Sequence, residues 1–299
     1  MALAAAVSAL AALLAPEARI EELSPREKAA IVVISGLPAP PGVGGVIVRR
    51  WDRHLPRPPR ALVFADQEGG PVRAFPDLAP SVPASSYRSV ADAFAAGKEA
   101  GAAMDGVGVD VDLAPVLDAP DGPLGSRHFR SASLGVAFGR GLLEGGAGAC
   151  AKHFPGLGTA AVSTDVRPRV PARLTQAELD AFRAAVRAGL PCVMVGHAFY
   201  PALGRLRASL EPKTYELLRS LGFDGLAITD SMNIVSSPPA YWPTKAISAG
   251  ADLLLYTNAR HARRAIETLV PLARRGALDE KVVRVLRYRR SLGVPAPSP

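Results

Sequence analysis

Eight short apolar runs spread along the chain limit most strongly how this sequence can fold. Most are continuous runs of Val, Ile, Leu and Ala, as expected for strands of a parallel sheet that is covered on both faces. The later runs are separated by segments of helix length, so strand and helix alternate. We therefore predict a parallel α/β fold, and eight strands favour a closed, TIM-like (β/α)8 barrel. The predicted strands are 31–36, 44–48, 61–66, 109–115, 149–154, 191–197, 225–230 and 251–257.

Seven segments between and after the later strands have the length and polarity of surface helices. In one of them Thr175 is followed three residues later by Glu178, which is the pattern of a capping box at a helix start. We expect residues 1–299 to form a single barrel domain, because no linker or repeat divides them. The predicted helices are 89–104, 133–145, 175–189, 212–221, 241–250, 260–275 and 279–291.

The first two connections depart from this alternation. Residues 37–43 and 49–60 are rich in Pro, with Gly in the first, and neither segment can hold a helix. Parallel neighbours ordinarily need a crossover of about a dozen or more residues. We therefore expect one of the first three strands to run antiparallel, or to lie outside the regular barrel.

Composition argues against several functional classes. The net charge of +8 comes mostly from arginines scattered along the chain, without the basic stripe and reading element of a nucleic-acid binder.

The apolar run 1–16 is too short to span a bilayer and has no basic residue before its core. It is either a signal-like segment or an amphipathic first helix, so cytoplasmic and exported locations both stay open. Cys150 and Cys192 lie in predicted strands and are expected to be buried free thiols, with no metal cluster.

Polar or ionisable side chains follow five successive predicted strands. Barrel enzymes carry their working residues at the C-terminal ends of strands. A single strand-end Asp often only caps the next helix, but five such ends in succession predict one polar pocket at the barrel mouth. These ends are residues 66–70, 112–118 and 152–156, then Met194 with His197, and then Asp230.

Three of these segments resemble motifs of glycoside hydrolase family 3. Residues 66–73 (DQEGGPVR) resemble D-Q-E-G-G-x-V, and residues 152–158 (KHFPGLG) resemble K-H-F-P-G-[HL]-G. Residues 222–230 (GFDGLAITD) resemble G-F-D-G-x-x-x-[ST]-D, which carries the family's nucleophile. Within the family we expect the greatest similarity to the one-domain bacterial β-N-acetylglucosaminidases. Weaker matches lie at 112–118, 125–127, 194–197 and 249–252, all in the family's order.

The resemblance implies a retaining, exo-acting glycosidase for β-linked sugars, of the β-N-acetylhexosaminidase or β-glucosidase kind, without a cofactor or metal. Asp230 would be the nucleophile beneath the anomeric carbon. Asp66 would accept hydrogen bonds from sugar hydroxyls, and Arg127, Lys152 and His153 would donate to the substrate. The remaining predicted substrate-binding residues are Met194 and His197. The expected partner is a carbohydrate, while the oligomeric state stays open.

One departure from the family concerns the general acid/base. In the β-N-acetylglucosaminidases an Asp-Ser-His segment follows the K-H-F-P-G motif, and its His is the acid/base. Counting without a gap, those positions here are Ser163, Thr164 and Asp165. Asp165 could be the acid/base, another residue or a partner could supply it, or the barrel could bind sugar with little turnover. An aldolase-like barrel using Lys152 as a Schiff-base amine is disfavoured, because it leaves Asp66 and Asp230 without a role.

Overall fold

The computed structural model describes residues 20–167, 169–234 and 240–295, so the segment 1–16 lies outside the described residues. Eight strands form one parallel sheet, and a bridge between Ile228 and Leu253 joins its two edges. The predicted barrel is confirmed. Its strands are β1 (Val33–Ser35), β2 (Gly45–Val48), β3 (Leu62–Ala65), β6 (Val111–Asp112), β7 (Gly148–Phe154), β8 (Cys192–Val195), β9 (Leu226–Thr229) and β10 (Leu254–Tyr256). Their order in the sheet is β10-β1-β2-β3-β6-β7-β8-β9.

The early strands do not behave as predicted. Both β1 with β2 and β2 with β3 pair in parallel, so no early strand is antiparallel or outside the barrel. The physical reason is strand length: three or four residues at about 3.3 Å each need a return of only about 10–13 Å. Residues 36–44 and 49–61 supply that return without a helix. A short hairpin of β4 (Gln67–Gly69) and β5 (Val72–Arg73) follows β3 at the barrel mouth.

Eight α-helices surround the barrel in the described part of the chain, and each predicted helix is present. The additional helix α1 begins after Ser24, which caps it together with Glu27. None of the described helices is long and apolar enough to cross a membrane. The helices are α1 (Pro25–Ile31), α2 (Val90–Gly106), α3 (Ala132–Glu144), α4 (Gln176–Arg187), α5 (Pro212–Ser220), α6 (Trp242–Ala249), α7 (Ala259–Arg274) and α8 (Asp279–Ser291).

The predicted capping box at α4 is half present. The Thr175 hydroxyl oxygen accepts a hydrogen bond from the Glu178 backbone N–H, as a cap does. The Glu178 carboxylate instead accepts from the Gly158 N–H at 2.6 Å and from the Thr175 hydroxyl at 2.7 Å. Glu178 therefore ties the loop that follows β7 to the start of α4.

The two cysteines form a disulfide, so the prediction of free thiols is wrong. Cys150 in β7 and Cys192 in β8 are register partners in the parallel pair, with Cα atoms 4.4 Å apart. The sequence shows each cysteine in an apolar strand but not which residues face each other across the sheet. The covalent bond therefore joins the two neighbouring strands that carry Lys152 and Met194.

Candidate active site

A cavity of about 490 Å³ opens at the C-terminal end of the barrel. Seven of the eight predicted site residues line it; His197 does not. Apolar side chains also line the cavity, among them Ile47, Leu113 and Leu255. The predicted residues on its wall are Asp66, Arg127, Lys152, His153, Asp165, Met194 and Asp230.

Asp230 follows β9 directly and is partly exposed to the cavity. Its backbone N–H donates to the Val195 carbonyl at 2.9 Å, which fixes the end of β9 against β8. Its Oδ1 accepts from the Ser231 N–H at 2.6 Å. Burial opposes ionisation of this carboxyl, but the charges of His153 and Lys152 and the Ser231 N–H outweigh it and lower the pKa of Asp230. The side chain is therefore an anion at neutral pH.

Lys152 in β7 lies at the centre of a buried ion-pair network. Its Nζ is 2.6 Å from Asp66 Oδ1 and 2.5 Å from Glu68 Oε1. The side chain is only 2% exposed, and this burial by itself lowers the pKa of Lys152. The two carboxylates have the larger, opposite effect, so the pKa of Lys152 is well above its usual value. Lys152 thus remains a cation that holds Asp66 at the cavity wall.

Glu68 fixes Arg127 through two parallel hydrogen bonds of 2.8 Å, from Nε and from Nη2. A guanidinium held in this way has a defined orientation. Burial disfavours the Glu68 carboxylate, but Lys152 and Arg127 lower the pKa of Glu68 to about 2. The ionised Glu68 therefore positions two cavity-lining cations at once.

His153 makes its side-chain contact with Asp118, whose Oδ2 is 2.7 Å from Nδ1. The same carboxylate accepts from the His153 N–H at 3.2 Å and from the Leu157 N–H at 2.7 Å. Burial would lower the pKa of His153, but Asp118 raises it, and the Asp230 charge adds to this effect. The imidazole is therefore oriented from behind and presents its other nitrogen away from Asp118.

His197 lies behind the cavity and is 1% exposed. Its Nε2 donates to the Ser231 carbonyl at 2.9 Å, and its Nδ1 accepts from the Ser209 hydroxyl at 2.7 Å. Burial lowers the pKa of His197. The neutral ring therefore holds the residue next to Asp230, rather than lining the space that a sugar would occupy.

Asp165 and Met194 occupy opposite environments in this cavity. Met194 is buried within β8, whereas Asp165 is exposed on the loop after β7. The Ser163 hydroxyl donates to Asp165 Oδ2 at 3.1 Å and accepts from the Asp165 N–H at 3.2 Å. Asp165 therefore lies at the cavity wall on a local turn of its own loop.

A family profile described as the glycosyl hydrolase family 3 N terminal domain matches residues 48–288. The chain belongs to glycoside hydrolase family 3. It is therefore a glycoside hydrolase, and its substrates are carbohydrates.

Individual proteins give the same result. A protein named beta-hexosaminidase from Alkalilimnicola ehrlichii is 32% identical over 270 residues, covering 81% of this chain and 76% of the relative. The structure of M tuberculosis LpqI has a TM-score of 0.80 at 25% identity, covering 96% of this chain and 98% of LpqI. A family 3 beta-N-acetylglucosaminidase from Paenibacillus sp. FPU-7 has a TM-score of 0.79 at 25% identity, covering 93% of this chain and 64% of that one.

Two acidic residues of this family 3 site were absent from the predicted site residues, although both lie in the strand-end segments. Glu68 is in the DQEGG segment, and Asp118 ends the segment 112–118. A third, Asp112, is fully buried, and its Oδ1 accepts from the Gln67 N–H at 2.9 Å. Burial raises the pKa of Asp112 to about 7. These residues support the cavity wall from behind.

The loops after β9 and β10 supply further polar lining. Ser231, Asn233 and Thr257 reach the cavity, and the Asn233 Oδ1 accepts from the Asn258 N–H at 3.2 Å. Asn233 also contacts His261 on α7. The sequence signal for Ser231 and Asn233 is their position just after Asp230.

Proposed function

We propose that this family 3 glycoside hydrolase is a retaining, exo-acting β-glycosidase in which Asp230 is the nucleophile. The observation that carries the proposal is a carboxylate with a lowered pKa that is exposed to a cavity and buried on its other sides. A retaining glycosidase needs such an anion beneath the anomeric carbon, where it forms a covalent glycosyl intermediate. We propose the barrel within residues 1–299 as the catalytic unit.

The neighbouring side chains support a sugar-binding role for the cavity. The Asp66 carboxylate accepts hydrogen bonds only, so it suits two adjacent sugar hydroxyls. Lys152 and Arg127 have N–H groups left over from their contacts with Asp66 and Glu68, and these can donate to the substrate. His153, oriented by Asp118, supplies another donor. In the transition state the positive charge that develops at the anomeric carbon lies beside the Asp230 anion.

Two observations bear on the substrate. The buried side chains of Leu113, Met194 and Leu255 line the cavity, and we expect it to take a terminal sugar rather than an internal one. The relatives named beta-hexosaminidase and beta-N-acetylglucosaminidase make a terminal β-N-acetylglucosaminide the first substrate to test. A β-glucoside is the second.

Asp165 is the proposed general acid/base, since it is the cavity-lining carboxylate at the position that the resemblance to the Asp-Ser-His segment gives to the acid/base histidine. One observation favours a second candidate function, a sugar-binding barrel with little turnover. Asp165 is exposed to solvent, whereas a carboxylic acid that donates a proton near pH 7 needs an environment that disfavours its charge. General acid–base help is typically worth about 10²–10⁴-fold in rate.

A panel of aryl β-glycosides tests the proposal. We expect hydrolysis of the β-N-acetylglucosaminide or β-glucoside, with the β-anomer as first product in a proton NMR time course. Asp230→Asn should abolish turnover, whereas Asp77→Asn, at an exposed aspartate on the same face, should retain it. An α-anomeric first product would contradict the retaining mechanism. Binding of the sugars without turnover would favour the second candidate.

A further inference from the structure

Two arginines beside the active-site cavity lie on neighbouring extended segments. Phe199 forms a parallel bridge with Pro171 on one side and an antiparallel bridge with Arg207 on the other. The hydrogen bonds Ala172 N–H to Phe199 O and Ala208 N–H to Ala198 O, at 2.8 and 2.9 Å, hold the three segments together. The segments belong to the loops that follow β7 and β8, so they lie on the catalytic face of the barrel.

This arrangement brings Arg169 and Arg207 close to the two segments that flank Phe199. Arg207 is opposite Phe199, and Arg169 lies two residues before Pro171. Burial lowers the pKa of Arg207, and repulsion by the positive charge of Arg169 lowers it further.

Arg207 is held in place rather than free in solvent. Its guanidinium stacks 4.9 Å from the ring centre of Trp242, which is 8% exposed. Its Nη1 is buried and has no hydrogen-bond partner in the described part of the chain. The guanidinium as a whole is fixed and only partly buried, so it can contact an oxyanion.

Among the described residues, no carboxylate forms an ion pair with either arginine. Neither Arg169 nor Arg207 takes part in a salt bridge among residues 20–167, 169–234 and 240–295. Two further arginines, Arg167 and Arg205, are exposed on the same two loops. Two cations placed together, one of them partly desolvated, destabilise each other unless an anion lies between them.

We propose that Arg169 and Arg207 form an anion-binding site beside the active-site cavity that accepts a carboxylate or phosphate group. The site adjoins the cavity through both loops, because Asp165 lies four residues before Arg169 and His197 lies two residues before Phe199. Neither arginine lines the cavity itself. An acidic group on the leaving part of the glycan would therefore reach it, and so would a free inorganic anion. The glycan as the source of the anion rests on the proposed function.

Calorimetric titration with inorganic phosphate at low salt tests the site without requiring turnover. We expect binding that weakens at least about tenfold in R169Q/R207Q, since each lost charge-assisted contact is worth about a factor of ten. The control R140Q, at an exposed arginine of α3, should bind like the wild type. R169Q alone serves if the double variant misfolds, because Arg169 is exposed. Absence of phosphate binding, or binding unchanged in these variants, would overturn the site.

A pair of β-linked disaccharides separates the two sources. One has a neutral leaving sugar and the other the corresponding uronic acid, with N-acetylglucosamine as the terminal sugar in both. If the glycan supplies the anion, R169Q/R207Q should raise the KM for the acidic disaccharide about tenfold or more and leave the KM for the neutral disaccharide unchanged. The same difference is expected in the Kd values when both substitutions are made in the Asp230→Asn variant. Equal affinity for both disaccharides in the wild type, with phosphate binding retained, would assign the site to a free anion. Loss of turnover in every protein would refute the proposed function and leave the binding comparison intact.

Discussion

Nδ1 of His153 lies 2.7 Å from Oδ2 of Asp118, so a carboxylate outside the cavity orients a side chain that lines it. The same Asp118 accepts the backbone N–H groups of His153 and Leu157. One carboxylate therefore sets both the path of the chain after β7 and the charge of the imidazole. His153 is in turn close enough to Asp230 for each charge to favour the other.

Asp118→Asn should lower the pKa of His153, because the variant removes the charge that raises it and leaves the burial that lowers it. The imidazole would then lose its proton at a lower pH than in the wild type. Titration of the histidine ring signals by NMR measures this shift. Asp121→Asn, at an exposed residue of the same loop, is the control and should leave the titration unchanged. An unaltered His153 titration in Asp118→Asn would contradict the account.

Asp165→Ala should affect substrates according to their leaving groups. A sugar alcohol needs a proton to depart, whereas a nitrophenolate hardly does, so natural disaccharides should slow by about 10²–10⁴-fold and aryl glycosides far less at the first step. Added azide should restore the second step, since an anionic nucleophile needs no general base. Steady-state rates with both substrates check this. Equal rates in Asp165→Ala and wild type would remove Asp165 from the mechanism.

Much of the barrel could be predicted because its signals are local. All eight apolar runs are strands, and helix starts such as Thr175 follow from capping chemistry within one turn. The parallel direction of the first three strands could not be predicted from the local sequence. These strands are so short that a connection too short for a helix can still return the chain to a parallel neighbour. The disulfide was hidden for the same reason, since the contact of Cys150 with Cys192 depends on the register of β7 against β8.

The predicted site residues lie close together because all of them are in barrel strands or in the loops that follow them. The sequence could not rank the carboxylates within a segment, however. Asp66 lines the cavity while Glu68, two residues later, is buried and pairs with Lys152 and Arg127. His197 likewise follows its strand at the expected place but contacts the Ser231 backbone from behind. These differences arise from side-chain packing.

Glu68→Gln should destabilise the fold by about 3–5 kcal/mol near pH 7, because it leaves the buried Lys152 and Arg127 without their shared partner. The pKa of Glu68 is about 2 in the folded protein, below its ordinary 4.5. Its contribution is therefore present above about pH 4.5 and is lost as the pH falls toward 2. Urea unfolding from pH 7 to pH 3 should show the difference from wild type narrowing.

Glu144→Gln is the matched control for this comparison. Glu144 pairs with Lys98 at 3.3 Å, and both side chains are more than half exposed. Such surface pairs contribute about 0–1 kcal/mol. A loss in Glu68→Gln no larger than in Glu144→Gln would contradict a buried, ionised Glu68.

Because Cys150 and Cys192 are joined by a disulfide, neither should react as a free thiol in denatured protein that has not been reduced. Replacing both cysteines by alanine should lower the free energy of unfolding by about 2–4 kcal/mol, as expected for a bond that closes a loop of this size. The two residues are 42 positions apart in the chain. Thiol titration and urea unfolding measure the two effects. Two free thiols in each chain would show that the strands are not cross-linked.

Trapping the glycosyl intermediate tests the central claim, that Asp230 is the nucleophile. A slow fluorinated glycoside forms a covalent intermediate faster than water removes it, so the wild type should gain one sugar mass per chain. Peptide mass spectrometry should place the sugar on Asp230, in the peptide containing Thr229 and Ser231, and Asp230→Asn should remain unlabelled. A label on Asp66, Asp165 or another carboxylate, or wild-type labelling of Asp230→Asn, would contradict the account.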